Sequence, residues 1–278
     1  MEPAPAQTLN NGVHLDQVGF GTYKVPAADA ARLVSEALDA GYRHIDTAAL
    51  YGNEEGVGEA IRTFTAAHGV SRDEIFLTSK VWNSDQGYDR TLRAFDASMD
   101  RLGLDVLDLY LIHWPCPERG LFVETYRALQ ELYRSGRVRA IGVSNFQPSH
   151  LRQLLDAADV VPAVNQIELH PWLQQRELRG LHDELDIRTV AWSPLGRGAV
   201  LADPVITAAA AELKVSPAQV ILRWHMEQGN IAIPKASSPE RIAENLDLFS
   251  FELTPDQRTA IAGMDRNQRS GSHPDEVN

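Results

Sequence analysis

Cysteine and long apolar runs are nearly absent from this sequence of 278 residues. The single cysteine, Cys116, excludes an intrachain disulfide and is typical of a reducing compartment. No stretch approaches the ~18 consecutive apolar residues of a membrane span, and the polar N-terminal segment lacks the apolar core of a secretory signal. We therefore expect a cytoplasmic protein without a membrane partner.

Basic residues are also scarce, since 26 Lys and Arg stand against 38 Asp and Glu and give a net charge of −12. A chain this acidic, with no basic stripe, is not expected to bind nucleic acid. No spacing of Cys and His suggests a metal site, so no metal is expected. Cys116 lacks a dyad partner in the pattern and is not expected to act as a nucleophile.

Short β-rich runs alternate with helical stretches along the chain. Eight strands are predicted at residues 17–23, 43–47, 75–81, 107–114, 139–144, 163–169, 188–193 and 231–235. Eight helices follow them at residues 28–40, 54–67, 88–102, 123–135, 148–157, 175–184, 204–213 and 239–248. Two more helical stretches, 217–228 and 255–264, exceed this alternation, so we expect them to be additional helices outside the sheet.

This alternation, without a linker or a break in composition, predicts one α/β domain over residues 1–278. A closed (β/α)8 TIM barrel is the preferred architecture, preceded by a β-hairpin with its turn at Asn10–Gly12. The alternative is a doubly wound open sheet. A dinucleotide-binding sheet of that kind usually carries G-x-G-x-x-G after its first strand, and the segment Gly19–Lys24 lacks the third glycine.

Three neighbouring predicted strands end on residues with acid–base chemistry. Lys80 follows Asp46 by 34 positions and His113 follows Lys80 by 33, about one βα unit each. Tyr51 lies in the loop just after Asp46. An ammonium near a phenol favours the phenolate, so we expect Lys80 to lower the pKa of Tyr51. Each residue alone is more typical of a cap or a surface charge, but together they suit protonation of a carbonyl oxygen.

A second cluster, residues 233–245, joins a strand end to a helix start. Lys235, Arg241 and the backbone N–H groups of the helix start are suited to a phosphate group, although a capped helix with ordinary surface charges is the alternative. Four aromatic residues also fall at or just past strand ends, where they often line a pocket; they are Tyr23, Trp82, Trp114 and Trp192.

Seven ordered motifs span most of the chain: GYRHIDTA at 41–48, YGNE at 51–54, TSKVW at 78–82, DLYLIHWP at 108–115, IGVSNF at 141–146, NQIE at 165–168 and IPK at 233–235. With them the sequence resembles the aldo-keto reductases over nearly its whole length. Residues 161–171 and the tail 272–277 look like the bacterial 2,5-diketo-D-gluconate reductases in particular.

The resemblance implies a TIM barrel whose base is closed by the hairpin, and NADPH-dependent reduction of aldehydes and ketones. It implies Tyr51 as general acid, Lys80 and Asp46 as its tuning pair, and His113 as the residue that orients the carbonyl. It implies a cofactor site formed by Thr22, Ser144, Asn145, Gln166, Trp192, Ser193, Leu195, Gly196, Lys235, Ser237, Arg241, Glu244 and Asn245. Tyr23, Trp82 and Trp114 line the substrate pocket on the same basis.

Two features depart from relatives in this family. Many have Ser after the Lys of the 2′-phosphate motif, where this chain has Ala236. One hydrogen bond to the phosphate is then missing, unless Ser237 or Ser238 supplies it, and tolerance of NADH is left open. The loop after the fourth strand, residues 115–121, is short, which predicts an open pocket for small polar carbonyls such as diketogluconate or methylglyoxal.

Two other functions compete with carbonyl reduction. Lys80 could be the nucleophile of a Schiff-base barrel enzyme, although the adjacent Asp46 and Tyr51 disfavour this reading. A nucleotide-sensing regulatory subunit on the same fold is the non-enzymatic alternative. No large extra element offers an interface, so we expect a monomer with a small-molecule substrate as its partner.

Overall fold

The computed structural model describes residues 5–278, so residues 1–4 of the predicted domain lie outside the described part. Its first element is the predicted hairpin, in which β1 (Ala6–Thr8) pairs antiparallel with β2 (His14–Asp16). The Asn10 and Asn11 amides donate to Pro162 O at 3.1 Å and Arg139 O at 2.9 Å. These bonds tie the hairpin to the start of the later strands, so it closes the base of the fold as expected.

Among residues 5–278, eight parallel strands form one sheet in sequence order. They are β3 (Phe20–Gly21), β4 (His44–Asp46), β5 (Phe76–Val81), β6 (Leu107–Ile112), β7 (Val138–Ser144), β8 (Val164–Glu168), β9 (Arg188–Trp192) and β10 (Ile231–Ala232). Gly19 N donates to Ala232 O and Ala232 N donates to Gln17 O, both at 2.8 Å. The first and last strands therefore meet, the barrel is closed, and the open-sheet alternative is wrong.

The first and last strands are shorter than predicted. The predicted run 231–235 pairs regularly only at Ile231 and Ala232, because Pro234 has no N–H to donate to the ladder. Beyond the regular part, Gly21 N still donates to Pro234 O at 3.0 Å. The barrel thus closes through a few backbone hydrogen bonds between the first and last strands. Above them, the two chain segments no longer pair as regular strands.

In the described part of the chain, ten α-helices surround the barrel: α1 (Ala27–Ala40), α2 (Glu54–His68), α3 (Tyr88–Leu102), α4 (Phe122–Arg134), α5 (Pro148–Leu155), α6 (Arg176–Glu184), α7 (Pro204–Leu213), α8 (Pro217–Glu227), α9 (Pro239–Glu244) and α10 (Pro255–Ala262). The last four, α7 to α10, each begin at a residue whose side chain accepts a hydrogen bond from a backbone N–H. Ser216 accepts from Gln219 N at 3.2 Å while the Gln219 side chain accepts from Ser216 N at 3.0 Å, which satisfies two free N–H groups of α8.

The two additional helices are α7 and α10, so the prediction that 217–228 is one of them is wrong. Leu222 and Met226 of α8 belong to the apolar layer between strands and helices. The buried face of α7, with Ile206 and Ala209, instead packs in an outer cluster with Ile261 of α10. The pattern of alternation cannot distinguish α7 from α8, because both are apolar enough to cover a strand.

The barrel interior is apolar in its lower half. Leu9 and Leu15 of the hairpin segment pack there against strand residues such as Phe76, Leu111 and Val190. Polar residues such as Asp46, Lys80 and Gln166 fill the upper half and are buried.

Within residues 5–278, no single helix is long and apolar enough to cross a membrane; α7 and α8 pass that test only as a pair bent by 93°.

Candidate active site

Four side chains predicted to act together converge at the carboxyl ends of β4, β5 and β6. Lys80 is completely buried, and its Nζ donates to Asp46 Oδ1 at 2.6 Å and to Thr47 O at 2.9 Å. The same Nζ lies 3.4 Å from the hydroxyl of Tyr51, which ends the short helix Ala49–Tyr51. The ring centroids of Tyr51 and His113 are 5.7 Å apart in an edge-on arrangement.

The turn that carries Tyr51 is held by a buried amide. Gly52 adopts a φ of 65°, which lets the chain leave the short helix and start α2. Asn53 then donates to Thr22 O at 3.0 Å and Val25 O at 3.1 Å, and accepts from Thr47 Oγ1 at 2.9 Å. Because all of these groups are buried, Asn53 fixes the turn against the loop that follows β3. Asn53 was not predicted as a site residue.

His113 is held from its backbone side. Its N–H continues the ladder with Val81 O at 3.2 Å, and its carbonyl accepts from Asn145 Nδ2 at 2.9 Å. The Trp82 ring contacts the imidazole edge-on, with centroids 5.1 Å apart. Among the described residues, His113 Nδ1 is a buried polar atom without a partner. The ring is thus fixed in place while one of its nitrogens remains unsatisfied within the chain.

The protonation states of the site follow from its burial. Burial raises the pKa of Tyr51 well above its usual range, and the nearby Asp46 and Tyr23 raise it further. The net direction is therefore opposite to the lowering expected from Lys80 alone, because burial is the largest cause. Burial lowers the pKa of Lys80, with Asp46 opposing the shift. Burial and Lys80 lower the pKa of His113 far below its usual value, so its imidazole is neutral.

A chain of hydrogen bonds links this group to β7, β8 and β9. Gln166 Nε2 donates to Asp46 Oδ2 at 2.7 Å, so both carboxylate oxygens are satisfied. Ser144 Oγ donates to Gln166 O at 2.8 Å. Trp192 Nε1 donates to Asn145 Oδ1 at 2.8 Å, and Asn145 holds a left-handed φ of 65° to reach both Trp192 and His113. Such a network fixes the side chains before any ligand binds.

A cavity of about 660 Å³ opens above these residues. Its wall is lined by most of the predicted site residues: Tyr23, Asp46, Tyr51, Trp82, His113, Trp114, Ser144, Asn145, Gln166, Trp192, Ser193, Leu195, Lys235 and Arg241. Lys80 lies beneath the wall and reaches it through Tyr51. The other predicted residues, Thr22, Gly196, Ser237, Glu244 and Asn245, do not line the wall. Thr22 instead donates its hydroxyl to Asp46 O at 3.0 Å.

Several residues of the cavity wall were not predicted as site residues. They are Gly21, Lys24, Leu50, Pro194, Arg197, Gly198, Ile233, Pro234, Ser272 and Val277. Lys24 directly follows the predicted Tyr23, and Arg197 directly follows the predicted Gly196, so a wider window around each motif finds both. Ser272 and Val277 lie in the C-terminal tail and reach the cavity about 40 positions after the last strand, β10.

Four cations face the cavity: Lys24, Arg197, Lys235 and Arg241. Within residues 5–278, no carboxylate forms an ion pair with any of them. Lys235 Nζ donates to the exposed Ser237 Oγ at 2.6 Å, and Ser238 caps α9 by accepting from Arg241 N at 3.4 Å. Unpaired cations around one cavity of an acidic protein fit a polyanionic ligand.

The side chain at the position of the missing serine faces the core. Ala236 is buried and packs in the apolar layer between strands and helices. The hydroxyl beside Lys235 is that of Ser237, whereas the Ser238 hydroxyl is engaged as a helix cap. Of the two serines considered from the sequence, Ser237 is therefore the one placed beside a free cation.

No group of three or more His, Cys, Asp or Glu within residues 5–278 could hold a metal ion.

Comparison with known proteins identifies the relatives of this chain. The model of the aldo/keto reductase family matches residues 17–266. An aldo-keto reductase of Mycolicibacterium smegmatis is 56% identical over 98% of this chain and 97% of its own length. A glyoxal reductase of Bacillus subtilis is 48% identical over 97% of this chain and 96% of its own.

Solved structures agree with these relatives. A crystal structure of a Gox0644 mutant in complex with NADPH has 49% sequence identity and a TM-score of 0.94. The match covers 100% of both chains. The closed barrel, the four convergent side chains and the similarity to these proteins over nearly the whole length lead to one conclusion. The chain belongs to the aldo/keto reductase family.

Proposed function

We propose that this protein reduces aldehydes and ketones to alcohols with NADPH. The observation that carries the proposal is the contact of the protonated Tyr51 hydroxyl with the buried Lys80–Asp46 pair, at the floor of a cavity shared with His113. Free cations at the same cavity suit the phosphates of the cofactor. The NADPH complex of the Gox0644 structure supports this choice of cofactor.

The cofactor's contribution is a hydride delivered to the carbonyl carbon. Ser144, Asn145 and Gln166 are the candidate partners of its carboxamide, and Trp192 is the candidate that stacks on its nicotinamide. The backbone turn at Ser193, Leu195 and Gly196 is the candidate neighbour of the pyrophosphate, with Lys24 and Arg197 as cations beside it. Lys235, Ser237 and Arg241 are the candidates that bind the 2′-phosphate. Glu244 and Asn245 are the candidates near the adenine. Thr22 does not line the cavity and supports the site through its hydrogen bond to Asp46 O.

The proton comes from the chain itself. Tyr51 keeps its proton because burial raises the pKa of its hydroxyl, so it is available as a general acid at neutral pH. Lys80 stabilises the developing phenolate once the proton leaves, and Asp46 holds Lys80 in place. The neutral His113 can donate one N–H to the carbonyl oxygen and so orient it toward Tyr51.

The environment of Lys80 argues against a Schiff-base enzyme. A nucleophilic lysine must be reachable by the substrate carbon and must be free of its proton. Lys80 is completely buried beneath the cavity wall and donates to Asp46 at 2.6 Å. A sensing subunit would not need this acid–base group, so the group favours an enzyme.

We propose small carbonyls as the substrates, with methylglyoxal and diketogluconate as examples. Tyr23, Leu50, Trp82 and Trp114 provide apolar surface near Tyr51 and His113. The connection between β6 and α4 contains only the short helix Pro117–Arg119, so this side of the cavity lacks a long covering loop. The glyoxal reductase relative supports a dicarbonyl, and the resemblance to 2,5-diketo-D-gluconate reductases supports the sugar acid.

The function is tested by following the oxidation of NADPH through the absorbance of its reduced nicotinamide. The substrates are methylglyoxal, diketogluconate, an aromatic aldehyde and a quinone. We expect turnover with methylglyoxal and with at least one further carbonyl, and formation of the alcohol in equal amount to the NADP+ released. If the protein binds NADPH but reduces none of the four compounds, the sensing subunit becomes the better assignment. If it does not bind NADPH, both assignments fail.

Arg241→Ala tests the choice between NADPH and NADH. A charged hydrogen bond to phosphate contributes about 1.5–3 kcal/mol, so loss of Arg241 should raise the Kd of NADPH roughly 10- to 100-fold. The Kd of NADH, which has no 2′-phosphate, should change less than about twofold on the same scale. Calorimetric titration measures both. Arg127→Ala, at an exposed arginine of α4 outside the cavity, is the matched control. Equal losses for both cofactors would place Arg241 elsewhere than at the 2′-phosphate.

We propose that residues 1–278 form one domain that works as a monomer in the cytoplasm. The family match over residues 17–266 supports the single domain. The two additional helices bury their apolar faces in the outer cluster of the same chain, so these faces are already covered within residues 5–278. Two of the most exposed large apolar side chains, Tyr23 and Leu50, line the cavity.

A further inference from the structure

A buried carboxylate outside the proposed proton-transfer group anchors the C-terminal tail. Glu168 at the end of β8 is completely buried. Its Oε1 accepts from Ser270 N at 2.6 Å and from the Ser270 hydroxyl, and its Oε2 accepts from Gly271 N at 3.1 Å. His170 Nε2 adds a contact at 3.3 Å. Nothing in the proposed proton or hydride transfer uses this carboxylate.

These contacts keep Glu168 charged. Burial alone would raise its pKa, but the hydrogen bonds from His170, Ser270 and Gly271 outweigh this effect and lower the pKa to about 2. Arg269 lies 3.9 Å from the same carboxylate and adds attraction. A buried anion with so many donors holds those donors in a narrow geometry, because loss of any one leaves charge or an N–H unsatisfied.

The segment that Glu168 holds lies directly against the ring of Trp192. A Cβ added at Gly271 would lie only 2.5 Å from Trp192 Cη2, and 3.3 Å from both Glu168 Oε2 and Arg197 Nη2. The backbone of Gly271 is not in the left-handed region, so its lack of a side chain matters for this close approach rather than for its conformation. Glu168 and Trp192 are also register partners on β8 and β9, so both ends of the contact rest on the barrel.

The other end of Trp192 connects to the acid–base group. Its Nε1 donates to Asn145 Oδ1 at 2.8 Å, and Asn145 Nδ2 donates to His113 O at 2.9 Å. The indole is therefore fixed at its nitrogen by Asn145 and at its far edge by the Gly271 backbone. Apart from the tail, the ring is held by the hydrogen bond from Nε1 and by packing against the apolar cluster inside the barrel.

We infer that Glu168 is a positioning residue that orients the Trp192 ring by clamping Ser270 and Gly271 against it. The inference that this orientation serves the nicotinamide rests on the proposed function. The benefit is preorganisation: a ring already in place does not lose freedom when its ligand binds. Ser272, one residue beyond the clamp, lines the cavity, so the same clamp sets where the tail enters the site.

The position of the ring is measured without any cofactor. The protein is labelled with 5-fluorotryptophan, and the Trp192→Phe variant assigns the fluorine resonance of residue 192. We expect Glu168→Gln and Gly271→Ala each to shift or broaden that resonance, since the first removes the charged acceptor and the second forces Cβ toward the ring. Gly271→Ala leaves the buried carboxylate intact, so it serves as the test even if Glu168→Gln fails to fold.

Asp275→Asn is the matched control in the same tail. Asp275 Oδ1 lies 3.3 Å from His150 Nε2, and the Asp275 side chain is not among the partners that hold Glu168 or Trp192 within residues 5–278. We expect this variant to leave the Trp192 resonance unchanged. A shift as large as that of Glu168→Gln would assign the effect to the tail as a whole and overturn the role of Glu168. Unchanged resonances in both Glu168→Gln and Gly271→Ala would overturn it as well.

A double-mutant cycle then connects the clamp to the cofactor. We expect Gly271→Ala and Glu168→Gln each to raise the Kd of NADPH about tenfold by calorimetry, within the range of coupled neighbours. In the Trp192→Phe background, whose shorter ring lacks the clashing Cη2, the same changes should cost less than about twofold. Additive effects would show a merely structural role and overturn the inference. Absence of NADPH binding in the unaltered protein would refute the proposed function, while the fluorine experiment would still decide the clamp.

Discussion

Tyr51→Phe should lower kcat for carbonyl reduction about a thousandfold, within the 10²–10⁴ range of general acid catalysis, and leave the Kd of NADPH within about twofold. The reason is that Tyr51 carries the only hydroxyl that contacts Lys80 among the described residues. Its removal takes away the proton but not the ring, which packs against Tyr23 and His113 with centroids 5.2 and 5.7 Å away. Stopped-flow and steady-state assays with methylglyoxal measure kcat, and calorimetry measures the Kd.

The control for this substitution is Tyr126→Phe on α4. The Tyr126 hydroxyl is buried and has no partner among residues 5–278, so its loss removes the same atom far from any proposed chemistry. We expect unchanged kcat and unchanged stability for this variant. If Tyr51→Phe keeps more than about a tenth of the turnover, the expected loss for a general acid is absent, and another group or water must donate the proton.

The convergence of Asp46, Lys80 and His113 could be predicted because it depends on local pattern. Parallel strands end at one rim, and spacings of 34 and 33 residues correspond to one βα unit each, so three successive strand ends must be neighbours. The closed barrel followed from the same alternation. Hydrogen bonds between Gln17, Gly19 and Ala232 confirm it.

The protonation state of Tyr51 could not be predicted in this way. The sequence places an ammonium near the phenol but does not give the distances that decide whose field dominates. In the structure Asp46 lies 2.6 Å from Lys80 Nζ, whereas Tyr51 lies 3.4 Å from it and is itself buried. Burial therefore determines the direction, and the pKa of Tyr51 rises. At neutral pH the phenol therefore keeps its proton.

Contacts between distant segments were also beyond the sequence. Glu168 and Gly271 are 103 positions apart, and neither belongs to a periodic pattern that predicts their contact. Arg197 looks like an ordinary surface residue until the fold places it at the cavity with Lys24, Lys235 and Arg241. The distinction between α7 and α8 likewise depends on which apolar face meets the barrel, and this is decided by packing rather than by composition.

Asp46→Asn should be the most destabilising single change at the site. Lys80 donates to Oδ1 and Gln166 donates to Oδ2, so an amide can accept one of these bonds but must point its own N–H groups at the other donor. It also leaves the completely buried Lys80 without a counter-charge. Breaking a buried ion pair costs about 3–5 kcal/mol in the free energy of unfolding, and chemical denaturation measures this. We also expect kcat to fall, since Lys80 is no longer held beneath Tyr51.

Asp159→Asn provides a control in an exposed ion pair, with arginine in place of lysine as the cation. Asp159 pairs with Arg134 at 2.6 Å, the same distance as in the Lys80–Asp46 pair, but both partners are exposed. We expect a loss below about 1 kcal/mol for this exposed pair. Lys80→Met combined with Asp46→Asn should destabilise less than the sum of the two single changes, because no buried charge then remains. Strict additivity would mean that Lys80 and Asp46 are not coupled.

The pH dependence of the Asp46→Asn deficit gives an independent check on its cause. Burial already lowers the pKa of Lys80, and Asp46 opposes that shift, so loss of Asp46 should lower this pKa further. The native state then binds fewer protons than the unfolded state, in which lysine titrates near 10.4, and stability rises with pH across that interval. The deficit relative to the unaltered protein should therefore shrink as the pH rises toward 10. A deficit that stays constant with pH would locate the cost in packing, whereas a shrinking one locates it in the unpaired charge of Lys80.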